Sequence, residues 1–130
     1  MTSPANNSAL LLFAHGSSDP GWAGPFIRLK AAVEAREHNH ASNRKVELAF
    51  LERMVPSFDQ AVDALHRQGI RHITVAPIFL AVGGHMRKEL PELVGAAQAR
   101  TGIEFRVLPA LGEVDALIDS IAAWVLNASR

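Results

Sequence analysis

The 130-residue sequence predicts a three-layer α/β fold, a flavodoxin-like four-stranded parallel sheet of order 2-1-3-4 with helices on both faces. Three observations carry that expectation. Strand-like apolar runs alternate with helix-like stripes four times in succession. The first run, Ala9 to Ala14, is apolar at every position, as a strand covered on both faces requires. Right-handed crossovers between parallel strands place the intervening helices on the sheet faces.

Each element follows from local pattern. After Ala9–Ala14 a polar turn runs from His15 to Gly21; Trp22, Phe26, Leu29 and Val33 then share one helical face, with Pro25 tolerable in its first turn. The stretch Glu37 to Arg44 is polar and reads as a loop. Lys45 to Glu52 forms the second strand. From about Pro56 a helix presents Phe58, Ala61, Val62 and Leu65, with Gly69 as its stop. His72 to Leu80 is the third strand. Gly83 and Gly84 break the pattern, and Met86 to Arg100 is helical, with Pro91 restarting it after a short first turn. Gly102 ends that helix, Ile103 to Leu108 is the fourth strand, and Leu117, Ile118, Ile121, Trp124 and Val125 give the closing helix a buried stripe. One domain over 1–130 is expected, with a flexible N-terminus over 1–8.

Composition excludes several functional classes. Thirteen basic and thirteen acidic side chains cancel, so no basic excess points to nucleic acid. The absence of cysteine removes disulfides, thiolate metal sites and thiol nucleophiles. Ala9–Ala14 is far too short an apolar run to span a membrane, and Met1 to Ser8 lacks the charged segment of a secretion signal. A cytoplasmic domain with no membrane partner is the expectation.

In an open sheet of this order the winding reverses between the first and third strands, and ligands bind beyond the strands' carboxyl ends at that point. His15 directly follows the first strand, His85 follows the Gly83-Gly84 turn after the third, and Glu52 closes the second. Two imidazoles and a carboxylate suit a first-row divalent metal with open coordination positions, and can also accept protons near neutral pH. A metal-inserting enzyme needs both abilities. Gly16, Gly83 and Gly84 would let a ligand approach the backbone, and the N–H groups opening each following helix favour anions. His38 and His40, isolated in the polar stretch, read as surface residues, as do His66 on a helix flank and His72 at the opposite end of the sheet. Glu47 sits within a strand and is an inferior candidate. His-Gly-Ser-Ser lacks the spacing and the lysine of a phosphate-binding loop, which weakens a nucleotide-binding reading.

Leu-Leu-Phe-Ala-His-Gly-Ser-Ser-Asp-Pro, Glu-Leu-Ala-Phe-Leu-Glu and Ala-Pro-Ile-Phe-Leu-Ala-Val-Gly-Gly-His-Met-Arg-Lys-Glu-Leu-Pro together resemble the CbiX/SirB family of sirohydrochlorin chelatases, from about Ala9 to Trp124. The resemblance implies a class II, ATP-independent lyase that inserts cobalt or iron into sirohydrochlorin, for cobalamin or sirohaem biosynthesis. It implies metal-binding and catalytic roles for His15, His85 and Glu52. No tightly bound cofactor is implied; the divalent metal (cobalt or iron, with nickel in the same affinity range) is a substrate. Longer family members carry two such domains, so this short form is expected to pair as a homodimer around a shared cleft. Ser18 stands where many relatives carry arginine. The carboxylate-rich tetrapyrrole would then be met by Arg53, Arg87 and Lys88, by Ser17 and Ser18, and by the Gly83-Gly84 backbone. The rival reading is a metal or tetrapyrrole carrier that uses the same residues without turnover.

Overall fold

Four strands, β1 (Ser8–Ala14), β2 (Lys45–Phe50), β3 (His72–Pro77) and β4 (Glu104–Val107), form one parallel sheet in the order β2-β1-β3-β4. The computed structural model describes residues 7–39 and 43–130. The expected flexible start therefore falls largely outside the described residues, as does His40. The helices are α1 (Gly24–Asn39), entered through a 3-10 turn at Pro20–Ala23, then α2 (Phe58–Arg67), α3 (Gly84–Thr101) and α4 (Asp115–Ala128).

Alternation along β1 splits the interior into two cores. Leu11 and Phe13, both fully buried, join Ile73 and Val75 of β3 beneath α2 and α3. Leu12 and Ala14 point the other way and join Val46, Leu48 and Phe50 beneath α1. Phe13 holds the first core at its centre, with edge-on ring contacts to Phe58 at 5.3 Å and Phe79 at 5.9 Å. The α2 stripe of Phe58, Ala61, Val62 and Leu65 is buried as its spacing requires. A reciprocal cap between Ser57 and Gln60 starts that helix by satisfying two otherwise orphaned N–H groups. Gly69 and Gly102 lie at positive φ where their helices stop, and the Gly102 N–H returns to the Gln98 carbonyl.

Four expectations need correction. The strands β2 and β3 end at Phe50 and Pro77, short of Glu52 and Leu80, because the chain turns there into site loops. The polar stretch from Glu37 is not a loop throughout: α1 continues to Asn39. Glu37 is 8% exposed, and its carboxylate accepts hydrogen bonds from the Arg44 guanidinium, at 2.9 Å from Nε, and from the Arg44 backbone N–H. This pairing raises the Arg44 pKa against the opposing effect of burial. Pro91 does not restart α3, which runs through it unbroken; the carbonyl it leaves unpaired belongs to exposed Arg87, where water can serve as donor.

The largest departure is α4. Its apolar stripe exists but is not buried: every residue from Asp115 to Arg130 is exposed, Trp124 at 67%. The helix packs chiefly on the 3-10 turn at Leu111–Glu113 and leaves the sheet uncovered. A stripe at 3.6-residue spacing shows that a helix has a face to bury, without saying against what. Burial of each large side chain on that stripe would contribute roughly 1.5–3 kcal/mol. No helix among the described residues is long and apolar enough to cross a membrane.

Phe13→Ala is expected to lower unfolding free energy by about 3–5 kcal/mol, since it removes a fully buried ring and both aromatic contacts. Urea unfolding followed by far-UV circular dichroism measures it; a loss under 1 kcal/mol would show that the core is not organised around this ring.

Candidate functional site

Backbone pairing continues past the strand ends and fixes the site. The Leu51 N–H donates to the Ala14 carbonyl at 2.9 Å and the Glu52 N–H to the His15 carbonyl at 3.1 Å. On the other side of β1, the Ile78 N–H donates to the Phe13 carbonyl at 2.8 Å. His15 and Glu52 are therefore held side by side at the carboxyl edge of the two strands. Gly16 makes this possible: its φ is +97°, and a Cβ there would overlap the Glu52 carbonyl oxygen.

The side chains meet as well. His15 Nε2 lies 3.4 Å from Glu52 Oε1, with about half of each side chain exposed (53% and 50%). An ion pair this open to water contributes roughly 0–1 kcal/mol to stability, so folding is not what the pair serves. Two ligand atoms 3.4 Å apart, each about 2.1 Å from a metal, subtend about 108° at the ion, close to the tetrahedral angle. The same pair can pass a proton from a bound ligand toward solvent. On the apolar side, the His15 ring stands edge-on to Phe79 at 6.1 Å.

Arg53 follows Glu52 at φ +65°, a left-handed conformation that costs a branched-chain or long L-residue energy. Its Nε lies 3.9 Å from Glu52 Oε1. A strained cation is thus held beside the carboxylate. His85 occupies the first turn of α3, 86% exposed, with Nε2 2.7 Å from Glu89 Oε2 one turn along. Buried Met86 anchors that turn. Among the described residues no three His, Asp or Glu side chains lie close enough to hold a metal ion. His15 and Glu52 come together; His85 faces the same sheet edge with Glu89 as its own partner.

Two depressions flank the pair. One, of about 610 Å³, is lined by Ser17, Ser18 and Arg53 with Ile27, Phe50 and Met54. The other, of about 630 Å³, lies between the end of β3 and α3 and is lined by Arg87 with Phe79, Val82, Met86 and Leu90. Ser17 Oγ accepts the Asp19 N–H, and Arg87 Nε donates to the Val82 carbonyl, which tethers each side chain to its loop. Gly83, Gly84 and Lys88 are exposed at the entry to α3. Neither glycine needs its conformational freedom there, but a Cβ on either would meet open space, so the backbone is accessible to a ligand.

A family model described as CbiX matches residues 9–128. The chain belongs to the CbiX family. A sirohydrochlorin cobaltochelatase of Methanocaldococcus jannaschii is 36% identical over 67% of this chain and 58% of its own length. One from Saccharolobus islandicus is 34% identical over 66% of this chain and 62% of its own. The matched region thus spans about three fifths of these curated relatives. Among solved structures, a cobalamin (vitamin B12) biosynthesis CbiX protein of Marinobacter aquaeolei superposes with a TM-score of 0.77 at 30% identity, covering 93% of this chain and 96% of that one. The sirohydrochlorin chelatase SirB of Bacillus subtilis subspecies spizizenii, in complex with cobalt, shares the fold at TM-score 0.69 and 24% identity, with 93% of this chain on 50% of that one.

Against this CbiX frame the sequence missed two neighbours of the site. Glu89 was readable, because a His and a Glu four apart on a helix meet on one face. Phe79 was not: that its ring turns toward His15 depends on how the chain leaves β3. His66 and His72 lie away from this edge, His72 paired with Glu104 at 3.3 Å at the start of β3. His38 lies in the last turn of α1.

Arg53→Gly is expected to raise stability by about 0.5–1 kcal/mol, the relief of left-handed strain exceeding the entropic cost of glycine. A lowered melting temperature in that variant would mean the Arg53 side chain holds the loop. Gly16→Ala should do the opposite, losing about 1–3 kcal/mol through strain and displacement of the Glu52 backbone; an unchanged melting temperature would contradict the close approach described.

Proposed function

We propose that this chain is a chelatase domain, acting as a homodimer, that inserts a divalent metal ion, cobalt or iron, into a sirohydrochlorin-type tetrapyrrole without ATP. The observation that carries the reading is the His15–Glu52 pair, 3.4 Å apart at the carboxyl edge of the sheet, half open to solvent and backed by Phe79. Membership of the CbiX family and the cobaltochelatase names of relatives over 30% identical support the substrate class. The product would serve cobalamin or sirohaem synthesis in the cytoplasm.

Insertion exchanges two pyrrole N–H protons for each divalent ion that enters, so the site must present a metal and accept protons on one side of the ring. His15 and Glu52 hold the ion at two positions and leave the others open for ring nitrogens. His85, reaching from α3, supplies a further imidazole to the metal or to a departing proton. Loose, incomplete coordination suits a metal that has to leave. The macrocycle's flat apolar body rests over Phe79 and the two depressions. Its carboxylates meet Arg53, Arg87 and Lys88, the hydroxyls of Ser17 and Ser18, and N–H groups at Gly83 and Gly84 that open α3. On the side of Ser17 and Ser18, Arg53 provides the cation.

The test is anaerobic spectral conversion of sirohydrochlorin by cobalt(II) or iron(II), with and without the protein. Acceleration is expected, falling by about 10²-fold or more in His15→Ala and in His85→Ala while circular dichroism stays unchanged. A stable shifted spectrum at one equivalent without acceleration would replace the chelatase with a carrier.

A further inference from the structure

Arg53 stands where a turn asks for glycine. The Met54 N–H donates to the Glu52 carbonyl at 2.8 Å, two residues back, so Arg53 is the middle residue of a three-residue turn. Its φ of +65° belongs to the strained form of such a turn, which glycine adopts without the steric cost that a Cβ brings. The same Glu52 carbonyl oxygen is the atom pressed against Gly16, and the Glu52 N–H is taken by the His15 carbonyl at 3.1 Å. Both backbone polar groups of Glu52 are thus engaged, which holds the turn in place. A long cation kept at a strained position points to a use for its side chain.

That side chain meets the site at one atom. Glu52 Oε1 lies 3.4 Å from His15 Nε2 and 3.9 Å from Arg53 Nε, so the oxygen that faces the imidazole also faces the guanidinium. A metal ion held about 2.1 Å from that oxygen would lie within about 6 Å of Arg53 Nε, where a unit positive charge opposes a divalent one. Arg53 works against the metal for as long as it stays beside Glu52. The hold between them is weak: the pair is long and 61% of the Arg53 side chain is open to water, so another carboxylate can take the guanidinium over. The depression that Arg53 lines with Ser17 and Ser18 is where such a carboxylate would arrive. Lys30, which lines it too, is already engaged with Glu34 at 3.2 Å.

We propose that Arg53 serves two carboxylates in turn: that of Glu52 while the cleft is empty, where it weakens metal binding at the His15–Glu52 pair, and one of the tetrapyrrole's once the ring is bound, which frees Glu52 Oε1 for the metal. Arg53 is in this sense a positioning residue for Glu52. The proposal rests on the chelatase reading above and deepens it. The empty domain binds the divalent ion poorly, and the ring that will receive the ion draws away the charge that opposed it.

Cobalt(II) and metal-free sirohydrochlorin are each titrated alone, under anaerobic conditions, into the wild-type chain, Arg53→Gln, Arg53→Gly and Arg53→Lys. Calorimetry reads the metal and absorbance the ring. Arg53→Gln and Arg53→Gly are expected to bind cobalt about tenfold more tightly and sirohydrochlorin severalfold more weakly, while Arg53→Lys, which keeps the charge, stays near the wild type for cobalt. Opposite movements of the two affinities separate this role from a structural one, since a damaged loop would weaken both ligands. In turnover at saturating sirohydrochlorin the KM for cobalt should no longer differ between the wild type and Arg53→Gln, because the ring has already taken the guanidinium. Cobalt affinity unchanged or lowered in Arg53→Gln and Arg53→Gly would overturn the proposal. So would a gain that persists when His15→Ala is added, an unaltered sirohydrochlorin affinity, Arg53→Lys binding cobalt as tightly as Arg53→Gln, or a cobalt KM still lower in Arg53→Gln. The two titrations need no turnover, so they separate this proposal from the function. Their expected result in a domain that inserts no metal leaves Arg53 standing and the chelatase refuted; insertion with a cobalt affinity indifferent to Arg53 does the reverse.

Discussion

The position of β1 governs the rest of the molecule. It pairs in parallel with β2 on one side and β3 on the other, and it is buried from both faces. A strand in that setting must be continuously apolar, and its polar groups can begin only where it leaves the sheet. The first side chain to do so is His15. Because the chain winds outward from β1 in both directions, the loops after β2 and β3 open on either side of this histidine. Glu52 arrives from one and Phe79 from the other, both set by backbone hydrogen bonds that extend the ladder past its formal ends. The chemistry is placed by the sheet's winding, with Gly16 allowing the loop after β1 to close on the loop after β2 at Glu52.

Much of this was legible in sequence because it depends on local period and on one topological rule. The apolar run at Ala9–Ala14, the α2 stripe and the stops at Gly69 and Gly102 each report a backbone requirement that few residues satisfy. Strand order followed from alternation, and with it the meeting of His15 and Glu52. What was not legible depends on partners distant in sequence. Glu37 looked like loop because a buried carboxylate is only sensible once Arg44 is known to fold back onto it. Pro91 looked like a break because the sequence does not show that the carbonyl it orphans faces water. The turn of Phe79 toward His15 follows from how the chain leaves β3 and has no signature in residue type.

The closing helix shows a different limit. Its apolar spacing predicts a buried stripe and the stripe is exposed, because hydrophobic spacing carries no information about which surface meets it. The same holds for the alternation in β3, where one face is sealed and the other half-open.

The most direct test of the central claim is the anomalous scattering of crystals grown with cobalt(II), measured at the cobalt edge. The account predicts one dominant peak within about 2.2 Å of both His15 Nε2 and a Glu52 carboxylate oxygen, with His85 turned toward it. Cobalt found only at surface histidines such as His38 or His72, with the His15–Glu52 pair unoccupied, would contradict it.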